Sequence, residues 1–477
     1  MSDGIASRAL RGGFFLGVRQ VLVHGANLLG VVALARMLSP AEFGTVVIAL
    51  FLLGALASVS ALGLGTSLVQ RSAAPSALDE RVVLTAQQLV AIVLAVALWV
   101  VAPYLTLQLV RPGVEAELFR AVALATLLFP LQTVPVARLE RQLRFGRLAL
   151  IEVVQALAYN LVAVLLVWWG AGTRAVAAAL LVRALLAALL AQLASPWRIG
   201  FAFEATRLRA LARFGIPFQA ATWVSLVKDS LTPILLGATA GAAAVGFVDW
   251  AQTIATYPTL ALMILQRLYV PAFARVQDRP QELTRLVERA IQATNAIAAP
   301  IAVVTLVLIG PIIELVFGAR WRGAQELFYW LWCANLVVPT VTPLLGLLNA
   351  LGRARAVLGL AVVWMLATWL LGAPLILWLG PVGFGIANLV VQASGFWAIA
   401  LARQRVRFTV LANVLPSWAC AAVVGLLTLL AARRWPPESL LHLGALGALA
   451  LLAYTVALAC VLRAETRRVW AALRGWA

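Results

Sequence analysis

Apolar runs of a length to cross a bilayer follow one another along almost the whole chain, separated by short segments rich in arginine. A spanning helix needs about 20 apolar residues. On that rule the pattern predicts about fourteen transmembrane helices, over 14–38, 42–69, 83–110, 117–137, 147–170, 174–194, 213–238, 244–270, 287–310, 322–350, 355–379, 382–402, 409–432 and 440–462. The stretch from Gly30 to Arg71 is the best-marked hairpin. Ser39 stands where an N-cap should be and Glu42 follows at the capping-box spacing. Pro40 suits the first helical position because its missing N–H would have no partner there. Gly44 lets the two helices approach closely. The fold class predicted is all-α, a polytopic membrane protein.

The basic residues alternate between the two sides of this pattern. One set of segments, including Arg8, Arg71, Arg138, Arg141, Arg207, Arg275, Arg353, Arg405, Arg407 and Arg463, holds 25 arginines, and the alternate loops hold 8. The positive-inside rule puts the richer set, and with it both termini, in the cytoplasm. A weak internal repeat lays 34–47 over 236–249, with Gly44 on Gly246. Parallel repeats are a common transporter plan. The domains expected are an N-lobe of helices 1–6 over 1–195, a cytoplasmic linker over 196–212, a C-lobe of helices 7–12 over 213–405, and an appended helix pair with a cytoplasmic tail over 406–477. The polar stretch 271–289 is expected to lie at the membrane surface.

Composition agrees: 63% of the 477 residues are hydrophobic, 12% are charged, and the mean hydropathy is +0.98. Soluble chains carry about 25% charged residues. No polar stretch is long enough to hold a separate soluble domain. The net charge of +19 would suggest nucleic acid in a soluble protein, but the arginines sit in membrane loops and no nucleic-acid partner is expected. Cys333, Cys420 and Cys460 lie in apolar runs and read as packing residues. With His24 and His442 the only histidines, neither a metal site nor a hydrolase is supported. The chain has no G-x-x-x-x-G-K-[ST] loop, so ATP hydrolysis is not expected. No cofactor and no enzyme activity are predicted, and the N-terminus is not expected to be a cleaved signal.

Polar residues inside the spans carry the candidate chemistry, because each charge at mid-membrane costs roughly 2.5–3.5 kcal/mol on insertion scales. Helix one holds Gln20, His24 and Asn27 on one face, with Arg19 beside it. Helix seven holds Thr222, Ser225, Lys228, Asp229 and Thr232. Helix eight holds Asp249, Thr253, Thr256 and Arg267. Two readings are open. These residues line a wet cavity, or Arg19 and Arg267 snorkel to the headgroups while Lys228 is neutralised by Asp229 or Asp249. Arg183 and Glu152 lie nearer helix ends. Asn160, Asn335, Asn349, Asn388 and Gln392 read as interhelical hydrogen-bonders.

Several strings narrow the class. ALRGGFF, then ALARMLSPAEFGTVVIA and LGLGTSLVQR, then 141–186, LARFGIPFQAA (211–221), 310–331 and 347–358 resemble bacterial polysaccharide transporters. These are oligosaccharide flippases of the superfamily that also holds multidrug exporters and the lipid II flippase. Where the family often has an acidic residue late in helix seven, this chain has Thr232, with Lys228 and Asp229 one turn earlier. The resemblance implies a bacterial inner-membrane protein that moves polyprenyl-pyrophosphate-linked oligosaccharide, with membrane lipids and polysaccharide polymerase or export machinery as partners. Arg19, Lys228 and Arg267 would then face the pyrophosphate. Gln20, Asn27, Ser225 and Thr256 would face the sugar, and His24, Asp229 or Asp249 would couple an ion or act as counter-ions. The alternatives are an ion-coupled multidrug exporter, a membrane glycan ligase or polymerase, and a non-catalytic scaffold. The first needs an acidic cavity, and the second a large outside loop that is absent.

Overall fold

The computed structural model describes residues 20, 22–71, 74–110, 116–260 and 262–461. Among them there are helices and no strands. The helices are α1 Leu22–Met37, α2 Pro40–Ala61, α3 Leu64–Gln70, α4 Ala77–Leu105, α5 Glu117–Thr126, α6 Phe129–Arg141, α7 Phe145–Trp168, α8 Thr173–Ala194, α9 Ala205–Asp229, α10 Gly237–Ala240, α11 Ala242–Leu260, α12 Leu262–Arg275 and α13 Pro280–Pro311. Then come α14 Gln325–Asn335, α15 Val338–Ala350, α16 Ala354–Leu379, α17 Pro381–Ala393, α18 Phe396–Arg403, α19 Leu411–Arg434 and α20 Leu440–Val461. Among the described residues, ten helices are long and apolar enough to cross a membrane, or eleven if α5 and α6, bent by 42°, make one span.

Three expected spans fall on helices that do not meet that standard. α1 is described only over Leu22–Met37. The seventh is broken: α9 stops at Asp229 and a π-helical turn, Leu231–Leu236, follows before α10. The eighth falls on α11, described up to residue 260, and α12, described from residue 262, with Pro258 and Pro271 inside them. Proline removes a backbone donor and crowds the preceding turn, and these helices also carry the polar residues singled out in the sequence.

The turn at Ser39 forms as the spacing predicts. The Ser39 hydroxyl accepts from the Glu42 N–H, and the Glu42 carboxylate accepts from the Ser39 N–H at 2.8 Å. A second capping box, Ser76 with Asp79, starts α4. Each satisfies helix-end donors that would otherwise be orphaned.

The chain divides into two compact units, Met1–Gly246 and Phe247–Ala477. α9, which the repeat would put in the second lobe, packs inside the first unit against α3 and α4. Leu64, Leu68, Val83, Val134 and Leu211 form the core there. Arginines close one end of this unit. Arg138 holds the buried Glu80 through two bonds of 2.6 Å. Arg141 donates to the Arg71 carbonyl at 2.6 Å and Arg147 to the Ala194 carbonyl at 2.7 Å. Asp79 accepts from Arg207 at 3.1 Å and lies 3.5 Å from Arg71. Its hydrogen bond and that of Glu204 hold the Arg207 guanidinium above its usual range. The connection after α8 is fastened by the Ala202 N–H, which donates to the Thr85 hydroxyl at 2.9 Å.

In the second unit α13 is the shared wall. Asn295, fully buried, donates to Thr340 on α15 at 3.2 Å and accepts from the Trp418 indole on α19 at 2.9 Å. Tyr454 on α20 donates to the Ala296 carbonyl at 3.0 Å. A Cβ at Gly425 would overlap Val303, so α19 lies directly on α13. Trp250, Phe317 and Trp321 pack as a buried aromatic set, with Phe317 edge-on to Trp250 at 5.1 Å.

Candidate functional site

In the first unit, a cavity of about 560 Å³ opens between α1, α2, α6 and α7. Leu148, Ile151, Glu152 and Gln155 face it from α7, at the i, i+3, i+4, i+7 spacing of one helical face. α6 contributes Gln132, Thr133 and Glu140, and α1 contributes Val23. Two carboxylates and two amides therefore wall one space inside an apolar unit. Sequence reasoning set Glu152 aside as a helix-end residue and did not single out Glu140. The polar face Glu152–Gln155 was the signal for the first. Glu140 was masked by its neighbours, since the run around it reads as a basic loop.

The predicted site residues fall in several places. Arg19 lies outside the described residues. Gln20 and His24, one turn apart on the first helix, are hydrogen-bonded at 2.8 Å, and Val23 between them reaches the cavity. Asn27 accepts from Asn160 on α7 at 3.1 Å. Asn160 sits against Gly30, where a Cβ would overlap its amide oxygen. Asn27 is thus used in a helix–helix contact. Lys228 forms an ion pair with Asp229, the local neutralisation left open above. Ser225 is exposed on the same helix. Asp249, half-buried on α11, and Thr256 belong to the second unit. The Thr256 hydroxyl donates to the Gln252 carbonyl of its own helix at 2.9 Å. Arg267 is in α12, and its side chain lies outside those described. None of the eight whose side chains are described lines the 560 Å³ cavity.

Two glycine contacts stand at opposite ends of α2, 19 residues and so roughly 28 Å apart at the helical rise. At one end Gly44 meets Gly246. A Cβ on Gly44 would overlap the Ala242 carbonyl, and one on Gly246 would overlap the Pro40 carbonyl. The two positions aligned by the internal repeat are therefore in contact. At the other end Gly63, in the left-handed region at φ 67°, meets Gly215 of α9, where a Cβ would come within 2.7 Å of the Gly63 carbonyl. Polar bonds flank this second contact. The Ser67 hydroxyl donates to the Leu211 carbonyl at 2.9 Å, and the Gln219 amide donates to the Ser58 hydroxyl at 2.8 Å.

The family model for "Polysaccharide biosynthesis protein" matches residues 33–326, more than half of the chain. The chain belongs to this family. Among its relatives, the lipopolysaccharide biosynthesis protein WzxC of Escherichia coli (strain K12) is 23% identical over 352 residues, covering 73% of this chain and 71% of the relative. The succinoglycan biosynthesis transport protein ExoT of Rhizobium meliloti (strain 1021) is 25% identical over 349 residues, covering 72% and 69%. The fold is similar to that of the lipid II flippase MurJ in an inward closed conformation, with a TM-score of 0.71 over 95% of this chain and 99% of that one, at 12% identity. It is also similar to a multidrug resistance MATE family transporter in an inward-facing conformation, with a TM-score of 0.57 over 81% and 95%, at 16% identity. This member of the polysaccharide biosynthesis family is thus a multi-pass membrane protein with a transporter fold, and its relatives are named for biosynthesis and transport of polysaccharide.

Proposed function

We propose that this protein is a flippase that carries polyprenyl-pyrophosphate-linked oligosaccharide across the bacterial inner membrane for surface polysaccharide synthesis, with both termini in the cytoplasm. Membership of a polysaccharide biosynthesis family, combined with a fold like that of a lipid II flippase, is the observation that carries this reading. Backbone-close glycine contacts at both ends of α2 support alternating access. Transport then requires each end to open in turn while the other holds, as the repeat-derived lobes, 1–195 and 213–405, rock about a central path. Arg19, Lys228 and Arg267 bind the pyrophosphate once the path opens. Gln20, Asn27, Ser225 and Thr256 bind sugar hydroxyls. His24, Asp229 and Asp249 serve the coupling ion, and Glu140 and Glu152 join them as candidates. Polysaccharide polymerase and export machinery take up the product.

In cells lacking the protein, lipid-linked oligosaccharide should accumulate facing inward. A membrane-impermeant glycan-cleaving enzyme applied to spheroplasts should leave it intact. Unchanged amounts with full outward exposure would remove the reading. A second reading, an ion-coupled multidrug exporter, is favoured by one observation, the acidic wall of the first-unit cavity. It predicts drug hypersensitivity of the same cells with normal surface glycan.

A further inference from the structure

A second cavity lies in the other unit, away from the residues discussed above. Its volume is about 620 Å³. Three separate segments meet there: the start of α13 with the residues before it, the turn between α15 and α16, and the connection from α18 to α19. They bring Arg353, Arg405 and Arg407 around one opening, with Gln277, Gln281 and Thr284 as neutral donors. Leu283 and Val406 form the floor and belong to the buried core beneath. Among the described residues no carboxylate lines the space. Of the acids nearby in sequence, Glu282 faces Arg279 at 3.3 Å, Glu288 accepts from the Thr409 hydroxyl at 2.7 Å, and Asp278 is exposed and does not line the space. The Arg353 guanidinium donates weakly to the neutral Gln404 amide at 3.4 Å.

Three arginines line one open space that has no carboxylate among its lining residues. Like charges held together repel, and the fold tolerates this most easily when an anion sits among them. Guanidinium forks match phosphate oxygens in geometry. An apolar floor under a basic rim also suits an amphiphile better than a bare ion. All three segments belong to the arginine-rich set that the loop bias assigns to the cytoplasm, where anionic headgroups are met by basic pockets of this kind. We propose that this pocket binds a phosphate-bearing anion, supplied either by the headgroup of an anionic phospholipid or by a soluble phosphate compound. The proposal stands whether or not the flippase reading does.

The test uses the full-length protein in phosphatidylcholine nanodiscs doped with phosphatidylglycerol, with bound phosphatidylglycerol measured by native mass spectrometry. The triple variant Arg353→Gln, Arg405→Gln, Arg407→Gln should lose roughly 100-fold in retention, the scale of three surface arginines acting on an anionic lipid. Thr284→Trp, which fills the space and keeps every charge, should also lose retention. Competition by millimolar inorganic phosphate or pyrophosphate identifies a soluble phosphate compound as the natural source, and no competition identifies the lipid headgroup. Equal retention by wild type and both variants overturns the proposal. So does an equal loss in Arg320→Gln, Arg322→Gln, Arg433→Gln, which removes the same charge elsewhere.

Discussion

At the scale of single residues, position along the chain and position in space part company most clearly for the charged groups. The adjacency of Lys228 and Asp229 was legible, and they do pair. Asn160 was legible as an interhelical hydrogen-bonder, and it bonds Asn27. Glu80 was not, because its partner Arg138 is 58 residues away and only the packing of α4 on α6 brings them together. Arg138→Ala would leave that carboxylate, 5% exposed, with no guanidinium, so a loss of about 2–3 kcal/mol in unfolding stability is expected. The double variant Arg138→Leu, Glu80→Leu should recover part of it, as measured by thermal unfolding in detergent. Glu140 and Glu152 make a functional prediction. Glu140→Gln with Glu152→Gln keeps the cavity's shape and removes its charge. Insertion level should hold while translocation falls to background, and normal surface glycan in the double variant would make these two carboxylates structural.

At the scale of elements, the hydrophobic period located the helices but not their interruptions. The Ser39–Pro40 turn carries its own instructions in four residues and formed as expected. The π-helical turn at Leu231–Leu236 has no comparable local code. It follows from how Pro233 is accommodated after a polar run, which apolar counting does not register. Close approach is similar. Gly44 could be read as permitting contact, yet its partner, Gly246, is visible only because the repeat happens to align the two. Gly44→Leu should be unable to seat α2 against α11, since even a Cβ meets backbone there. We expect a loss of several kcal/mol, of the order seen for overpacked or strained cores, or a shift of the protein to a state in which this end is open. Accessibility of Ala242→Cys to a bulky maleimide distinguishes the two. Gly54, with open space around it, should accept Leu with little change.

At the scale of the whole molecule, class and membrane character were legible in composition alone, since so apolar a chain has few other ways to satisfy its backbone than as helices in lipid. Which contacts fasten α2 and α3 to α9 was not, because those contacts join segments more than 140 residues apart. Crosslinking makes the corresponding prediction. With Cys333, Cys420 and Cys460 replaced, Ser58→Cys with Gln219→Cys should lock α2 to α9. The crosslink should stop translocation, and reduction should restore it. A crosslinked protein that still transports would show that this contact does not open during the cycle.

The arginines at the end of the first unit have one more consequence. Arg138, Arg141 and Arg147 belong to the arginine-rich set on which the positive-inside rule rests, yet each also bonds a specific carboxylate or carbonyl in the folded unit. The same side chain would then serve both sidedness and packing. Charge-swap series built to map sidedness will therefore confuse a flipped segment with a collapsed one at these three positions. Arg144, Arg198 and Arg209 make no such bond among the described residues, and reporters placed there will register orientation alone.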